Sequence, residues 1–337
     1  MDTPRLNRRQ FAALAAAGAV ALPAHARAEP KTKRAGSAAS NAGAYHTRVG
    51  GARVSMLTDG HFTFDPIYGS LGANVPRELF EAAVRAAHLD GYAPVNALLV
   101  QTGGRVALID AGSGETFAPT TGRLIARLAE VGVMPADVTD ILVTHAHLDH
   151  VGGLMVPGAP TESAFPNAAV HIAGVEAEFW RGGPALEASG MPDAMKPAIV
   201  KIANDALAAV RGQLRVFDGS REVEVLPGIT AVPAPGHTPG HTAFQIADGD
   251  ETLLFVGDAI FFPPVMTANP DWHIGFDTDP VAAAVTRTRL MDRIAADRIR
   301  IAGTHLPFPG FARLTARGSG FDYHPEAWRF DTEAVGG

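Results

Sequence analysis

Cysteine is absent from this chain of 337 residues. Its absence excludes a disulfide framework, thiolate metal ligands, iron–sulfur clusters and a cysteine nucleophile. The sequence also lacks the Gly-x-Ser-x-Gly pattern that marks the nucleophile of many serine hydrolases. These absences leave no familiar side-chain nucleophile module in the sequence.

Positive charge is scarce as well, because 28 Lys and Arg face 35 Asp and Glu, a formal net charge of −7. This balance argues against a large electrostatic footprint for nucleic acid. Hydrophobic residues make up 47% of the chain, enough to fill a core, which excludes wholesale disorder. The length suggests one large domain or two modest ones, and the composition fits a soluble enzyme.

The N-terminus has the layout of an export signal. Arg8 and Arg9 precede an apolar stretch at residues 11–22, and Ala26-Arg27-Ala28 follows as a small-x-small cleavage site. The adjacent arginines favour the twin-arginine route. The apolar stretch, at about 12 residues, is shorter than the roughly 20 that cross a bilayer. We therefore predict a signal peptide at 1–28, no membrane anchor after cleavage, and a periplasmic or secreted protein.

Residues 29–44 contain almost no large apolar side chain and are predicted to form a flexible linker. A single globular domain is then expected over 45–337. Within it, predicted strands such as 106–109 and 138–144 alternate with helices such as 279–296. This alternation, with a run of closely spaced strands in the second half, favours a layered α/β or α+β architecture.

Four candidate metal ligands lie within six residues, directly after the predicted strand at 138–144. They are His145, His147, Asp149 and His150. In an extended or turning loop, side chains at i and i+2 point the same way, so His145 and His147 can reach one ion. So many polar side chains are hard to satisfy in a dry core without metal. The cluster therefore predicts a metal site.

Three further candidates stand alone at predicted strand ends. His237 lies in a tight turn, Asp258 follows a buried strand, and His305 ends another strand. A strand–loop junction positions a ligand well, although a single Asp or His there is more often a turn former or a cap. With the cluster they make seven ligands, enough for two ions that share a bridge. Nitrogen and oxygen ligands without sulfur suit Zn²⁺ and would also accept Co²⁺, Mn²⁺ or Fe²⁺.

With these motifs, and Asp110-Ala-Gly112 before them, the chain resembles the metallo-β-lactamase superfamily. The resemblance implies an α+β fold, an αββα sandwich with a dinuclear metal site at the edge between its two sheets. It implies that one ion is held by three histidines, that the second has a mixed set of ligands, and that Asp258 bridges them together with a water or hydroxide. The implied sets are His145, His147 and His237 for one ion, and Asp149, His150 and His305 for the other.

Within that superfamily the chain is similar to the branch of methyl parathion hydrolase and related bacterial lactonases and arylesterases. The supporting segments include Val151-Gly-Gly-Leu-Met155 and His305-Leu-Pro-Phe-Pro-Gly310. The match departs at residues 191–197 and at Pro263-Pro264, which puts a phosphotriester preference in doubt. The resemblance implies an exported dinuclear hydrolase whose metal-bridging hydroxide attacks a lactone, an aryl ester or an organophosphate triester. It also suggests a homodimer.

Further residues are assigned supporting roles. Asp149 lies close to the expected water and is the candidate for proton handling. Asp110 and His241 are expected to hydrogen-bond the ligands from behind, although a turn-forming Asp110 or a packed His241 fits the sequence about as well. Apolar and aromatic side chains dominate ligand clefts, so four are candidates for the pocket wall, with ordinary core positions as the alternative. These four are Phe117, Trp180, Leu306 and Phe308.

Two other readings stay open. The same metal core would serve a thioester hydrolase of the glyoxalase II type or a β-lactam hydrolase. Recognition of a glutathione thioester would need a basic patch near the C-terminus, and Arg313 and Arg317 would form only a small one. The alternative that is not an enzyme is a non-catalytic metal-binding protein. The expected partner is a small molecule rather than a nucleic acid.

Overall fold

The computed structural model describes residues 41–65 and 67–330. The predicted signal peptide, and the predicted linker as far as residue 40, lie outside the described residues. The first strand begins at Ala44, next to the predicted beginning of the globular domain. No helix among the described residues has both the length and the apolar character needed to pass through a bilayer.

Two seven-stranded sheets and a small hairpin form the framework. The first nine strands are β1 (Ala44–Val49), β2 (Ala52–Thr63), β3 (Tyr92–Thr102), β4 (Arg105–Ile109), β5 (Asp140–Leu142), β6 (Met155–Val156), β7 (Ala159–Ser163), β8 (Ala169–Ala173) and β9 (Leu214–Phe217). The first sheet has the order β1-β2-β3-β4-β5-β8-β9, and β6 pairs with β7. Strands β4, β5, β8 and β9 run parallel, so their carboxyl ends meet at one edge.

The second sheet follows the chain order from β10 to β16. Only β13 and β14 are parallel neighbours, and the other pairs are antiparallel. Its strands are β10 (Val223–Leu226), β11 (Ile229–Pro233), β12 (Thr242–Asp248), β13 (Glu251–Phe255), β14 (Arg300–Ala302), β15 (Phe311–Arg317) and β16 (Gly320–Pro325).

The described residues form the helices α1 (Arg77–Ala86), α2 (Leu124–Glu130), α3 (Leu148–Val151), α4 (Gly174–Arg181), α5 (Lys196–Ala209), α6 (Val265–Ala268) and α7 (Pro280–Ala296). Helices α2, α4 and α5 cover the outer face of the first sheet, and α7 covers that of the second. The predicted helix at 279–296 is thus found, with Asp279 as its cap: the Asp279 side chain accepts from the N–H of Ala282.

The packing of β3 shows why four layers form. Successive side chains of a strand point to opposite faces, and in β3 both faces are apolar. Leu98 and Val100 pack between the sheets, against residues such as Phe244 and Phe255. Ala97 and Leu99 pack under the helices on the outer face of the first sheet. A sheet that is apolar on both sides has to be covered on both sides, so the predicted αββα sandwich is confirmed.

Candidate metal centre

The loop that leaves β5 carries four of the seven predicted ligands on one short turn of chain. His147 lies on extended backbone and is the cap residue of α3, which begins at Leu148. The i, i+2 spacing brings His145 Nε2 and His147 Nδ1 to 2.9 Å from each other. Asp149 and His150 belong to the first turn of α3 and face a second point.

The second sheet delivers the other three ligands at the ends of separate strands. His237 follows β11, Asp258 follows β13, and His305 follows β14. The turn that holds His237 requires a glycine before it. Gly236 has a φ of +128°, and a Cβ there would lie 2.2 Å from the backbone nitrogen of Ala283.

The ligand atoms form two groups at the edge where the sheets meet, each with its atoms within 4.8 Å of one another. Asp258 faces both groups: its Oδ2 lies 3.3 Å from His237 Nε2, and its Oδ1 lies 3.2 Å from His150 Nε2. A carboxylate with one oxygen toward each group has the geometry of a bridge. The groups are His145, His147, His237 and Asp258, and then Asp149, His150 and His305.

These residues fit divalent metal ions. The buried atoms His147 Nε2, His150 Nε2 and Asp258 Oδ1 have no hydrogen-bond partner among the described residues. Buried polar atoms are almost always satisfied, so three such atoms in the cluster are what a set of metal ligands would present to a cation. Imidazole and carboxylate donors in groups of this size are typical of zinc and of related first-row metals.

The local charges favour the protonation states that metal binding needs at His145, His147 and Asp258, whereas His150 and His237 have to give up a proton when an ion binds. Burial and the neighbouring imidazoles hold the pKa of His145 and His147 well below the usual value, so both rings are neutral. Burial disfavours the ionised form of Asp258, but His305 and His150 hold its pKa well below the usual value. Burial likewise opposes protonation of His237, yet Asp258 and Asp277 raise its pKa to about 9.

Asp110 and His241 both lie directly behind the ligands. Asp110 accepts from the N–H of Thr144 at 2.9 Å and from His150 Nδ1 at 2.8 Å, so it orients one ligand ring and its loop. His241 donates from Nδ1 to the carbonyl of Ala234 and accepts on Nε2 from the N–H of Asp258. Burial lowers the pKa of His241 to about 3, which keeps Nε2 free to accept.

Glu176 is a buried residue of the site that sequence reasoning missed. Its carboxylate accepts from the backbone N–H groups of Ala146 and Gly240, and from Trp180 Nε1 and Thr238 Oγ1, at 2.6–3.0 Å. It therefore ties the loop of the first sheet to the turn that carries His237. Its position gave one usable signal, since Glu176 and Trp180 share the buried face of a short helix at i, i+4.

Asp277 was also missed. Its Oδ1 accepts from His237 Nδ1 at 2.8 Å, which orients that ring. In the sequence it lies two residues before Asp279, and the pair resembles the ordinary acidic cap of a helix. The structure separates the two roles, because only Asp279 caps α7.

A pocket of about 340 Å³ opens onto both ligand groups. Phe117 lines it, as predicted from the sequence. The other aromatic side chains in its wall come from the end of β2 and from the segment after β13. These are Phe62, Phe64, Phe261 and Phe276, and they are joined by Met195, Ile199 and Ile274.

The other three predicted pocket residues lie elsewhere, which corrects the prediction. Trp180 is fully buried, packs edge-on against His147, and donates to Glu176. Leu306 belongs to the core between the second sheet and α7, and Phe308 packs against the core between the two sheets. Adjacency to a ligand in the sequence was misleading, because the chain turns into the core after His305.

Comparisons with known proteins agree with this geometry. The structure of AidC, described as a dizinc quorum-quenching lactonase in complex with a product, is 28% identical with a TM-score of 0.79, and the match covers 85% of this chain and 98% of that one. An N-acyl homoserine lactonase of Bacillus cereus is 24% identical over 167 residues, which is 50% of this chain and 56% of the relative. A hydroxyacylglutathione hydrolase of Cereibacter sphaeroides is 34% identical over 154 residues, 45% of each chain.

The chain spans about half the length of the curated relatives it matches. The family model described as the metallo-beta-lactamase superfamily matches residues 90–305. That stretch holds all seven ligand residues, from the cluster after β5 to His305 at its last position. The sequence match, the two-sheet fold and the grouped ligands lead to one conclusion: this chain belongs to the metallo-beta-lactamase superfamily.

Proposed function

We propose that the protein is a metal-dependent hydrolase of uncharged lactones, aryl esters or organophosphate triesters. The pocket over the two ligand groups carries the proposal. Its wall is mainly aromatic and aliphatic, and no Lys or Arg is among the described residues that line it. Such a wall gains free energy by burying an apolar acyl or aryl group, and it offers no cation to a substrate carboxylate.

The chain's own residues divide the work of hydrolysis. The seven ligands would hold two divalent ions, which when bound supply a hydroxide nucleophile at neutral pH and polarise the carbonyl or phosphoryl oxygen. Asp258 faces both groups and keeps them at a set separation. Asp149 lines the pocket, and its side chain is 13% exposed, so its carboxylate is placed to hold a proton beside a bound substrate.

The aromatic wall would position the substrate and exclude water. Phe62 meets His305 edge-on at 5.7 Å between ring centroids, and Phe261 lies 4.3 Å from the same ring. Phe62 also packs edge-on against Phe117. An acyl or aryl group seated among these rings would present its carbonyl to the ligand groups. The likeness to the lactonase AidC over most of the chain supports lactones within this class.

Thioesters of glutathione and β-lactams fit the pocket less well, since both carry carboxylates. The two arginines considered for a basic patch do not line the pocket. Arg313 donates to the carbonyl of Arg298, and Arg317 pairs with Asp322 at 2.7 Å. The similarity to a hydroxyacylglutathione hydrolase over 45% of the chain nevertheless makes this activity the one to measure alongside.

A substrate panel tests the proposal. Purified protein loaded with zinc is assayed with N-acyl homoserine lactones, dihydrocoumarin, p-nitrophenyl esters, a paraoxon-type triester, an acylglutathione and a β-lactam. We expect turnover of the neutral substrates, a loss of it on chelation, and a kcat/KM for the anionic ones at least about 100-fold lower, as expected for unpaired buried charge. Preference for the acylglutathione or the β-lactam would overturn the proposal, and metal binding without turnover would favour the binding-only alternative.

We propose further that the protein is exported. The support is the pair Arg8-Arg9, the apolar stretch at 11–22 and the Ala26-Arg27-Ala28 site. Fractionation of the expressing cells, with N-terminal sequencing of the recovered protein, tests it. We expect a mature chain that begins at Glu29, and Lys substitutions at both Arg8 and Arg9 should abolish export. Recovery of the uncut chain in the cytoplasm alone would contradict the proposal.

A further inference from the structure

Arg287 is a fully buried arginine in the middle of α7, with 1% of its surface exposed. Its guanidinium donates to the carbonyls of Ala259, Pro270 and Trp272 at 2.8–3.1 Å, and to Asp277 Oδ2 at 3.2 Å. A buried charge is costly unless it is paired and hydrogen-bonded. The four hydrogen bonds of the buried Arg287 guanidinium therefore suggest that it holds the groups that accept them in place.

All four acceptors lie in one segment of the chain, residues 259–277, which begins directly after the bridging Asp258. Apart from the single turn of α6, this segment has little regular structure. One end of it is also held by a bridge between Leu71 and Ile274 and by hydrogen bonds to residues 70–74. The same segment supplies Phe261, Ile274 and Phe276 to the pocket wall. The guanidinium therefore fixes the backbone at Ala259, Pro270 and Trp272, in the same segment as these three pocket residues.

The contact with Asp277 extends this fastening to the metal centre. Asp277 uses Oδ2 for Arg287 and Oδ1 for His237 Nδ1, so the two side chains are joined through one carboxylate. The backbone repeats the connection, because the N–H of Thr278 donates to the carbonyl of His237. A shift of the guanidinium would therefore reach both the orientation of the His237 ring and the shape of the pocket.

We infer that Arg287 is a positioning residue that couples metal retention to substrate selectivity, through Asp277 on one side and the segment 259–277 on the other. Arg287 touches neither the ligand groups nor the pocket. The inference rests on the proposed function only for the selectivity part, since zinc binding is measured without substrate. Lysine keeps the charge but cannot span the fork of acceptors that a guanidinium reaches.

The test uses Arg287→Lys, Asp277→Ala and the double variant, with Arg289→Lys as the control on the exposed face of the same helix. Zinc affinity is measured by competition with a chromophoric chelator, and KM is measured for p-nitrophenyl esters of increasing acyl length. Groups that orient a metal ligand affect metal affinity by about 10–100-fold. We expect a loss of about 10-fold for Arg287→Lys, a larger loss for Asp277→Ala, and wild-type values for Arg289→Lys.

The double variant separates coupling from general damage. If Arg287 reaches His237 through Asp277, adding Arg287→Lys to Asp277→Ala should change zinc affinity by less than about 2-fold. It should still shift the KM ratio of long to short esters several-fold, because the carbonyl contacts to the pocket wall are separate. Additive losses of zinc affinity, or an unchanged KM ratio with a lower Tm alone, would overturn the inference.

If Arg287→Lys does not fold, Asp277→Asn provides a second test of the inference. Asparagine still accepts from His237 but loses the charge that faces Arg287, and we expect about 10-fold weaker zinc binding. Zinc affinity within 2-fold of wild type would overturn the inference. A wild-type protein that hydrolyses none of the esters would defeat the proposed function, while the zinc measurements would still decide whether Arg287 acts through Asp277.

Discussion

The two sheets furnish the metal centre in different ways. The first sheet places four ligands on one loop after β5, where the spacing of His145, His147, Asp149 and His150 sets their directions almost locally. The second sheet places three ligands at the ends of three strands, and the interval from His237 to His305 contains its strands β12, β13 and β14. One half of the site is therefore a local sequence motif, whereas the other half comes together only when the strands of the second sheet pack side by side.

Buried polar side chains hold the ligands of both halves in place. The compact motif is held from the end of the neighbouring strand β4, where Asp110 contacts Thr144 and His150 from 34 and 40 residues away. Dispersed ligands need contacts that reach across elements. Glu176 joins the loop of the first sheet to the turn before β12, and Asp277 holds His237 from a segment 40 residues away. Both halves therefore depend on buried polar groups that are not themselves metal ligands.

The largest expected effect comes from the residue that both ligand groups share. Asp258→Ala removes both carboxylate oxygens, so binding at both groups should weaken, whereas His305→Ala should weaken only the group with Asp149 and His150. We expect hydrolysis by Asp258→Ala to fall by more than about 100-fold, since even supporting groups account for 10–100-fold. Metal content by elemental analysis, with kcat on the best substrate of the panel, checks this.

The comparison between the two variants decides whether Asp258 is a bridge. Equal metal content in Asp258→Ala and His305→Ala would show that Asp258 serves one group alone. Circular dichroism on both variants controls for folding. A second control is His324→Ala, because His324 lies on β16, hydrogen-bonds Thr315, and is remote from both groups.

A middle-sized effect is expected where the two halves are joined. Glu176→Ala leaves the N–H groups of Ala146 and Gly240 and two side-chain donors buried without their acceptor. Breaking a buried network of this kind costs about 3 kcal/mol. We expect a free energy of unfolding lower by that amount, with zinc affinity reduced about 10-fold. Denaturant titration and chelator competition measure the two quantities.

Glu178→Ala is the matched control, because Glu178 lies on the exposed side of the same helix. Its effect on stability should stay within about 0.5 kcal/mol. If Glu176→Ala loses stability but binds zinc as tightly as the wild type, the bridge between the loops matters for folding only.

The smallest effect is expected at the opposite end of β5. Asp140 accepts from Arg105 at 2.8 Å and from His171 at 3.0 Å. Burial opposes its ionisation, but the hydrogen bonds of His171, Thr139 and Arg105 outweigh burial and lower the pKa of Asp140 below its usual value. Its contribution to stability is therefore present above about pH 4 and is lost as the pH falls through the lowered pKa.

Asp140→Asn should be less stable than the wild type by about 1 kcal/mol at pH 7. The difference should shrink as the pH falls below 4, because the wild-type carboxyl then also becomes neutral. Urea titrations of both proteins from pH 3 to 7 provide the curve, and the ligand residues cancel in the difference. If the difference in the free energy of unfolding between the two proteins does not depend on pH, the hydrogen bonds of Asp140, rather than its charge, provide the stabilisation.

Prediction from sequence succeeded where the signal is local. The layered fold follows from the strand and helix pattern and the family resemblance, and it is confirmed. The seven ligand assignments stay predictions, and the structure brings these seven residues together in two groups. Prediction from sequence failed for most of the pocket wall: Trp180 and Leu306 pack in cores, Phe308 packs against one, and the wall beside Phe117 is formed by Phe62, Phe64, Phe261 and Phe276. An aromatic residue has the same character in a core as in a cleft, so composition cannot separate them.

The sequence by itself determined the dense ligand loop, because residues two apart on extended backbone have fixed relative directions whatever surrounds them. It also determined, through the apolar runs on both faces of strands such as β3, that the sheets would be buried from both sides. Only the tertiary structure decided that Asp258 faces both ligand groups, that Glu176 and Asp277 hold them from behind, and which phenylalanines reach the pocket. Those contacts join residues tens to hundreds of positions apart, and they arise from how the two sheets and the segment 259–277 pack together.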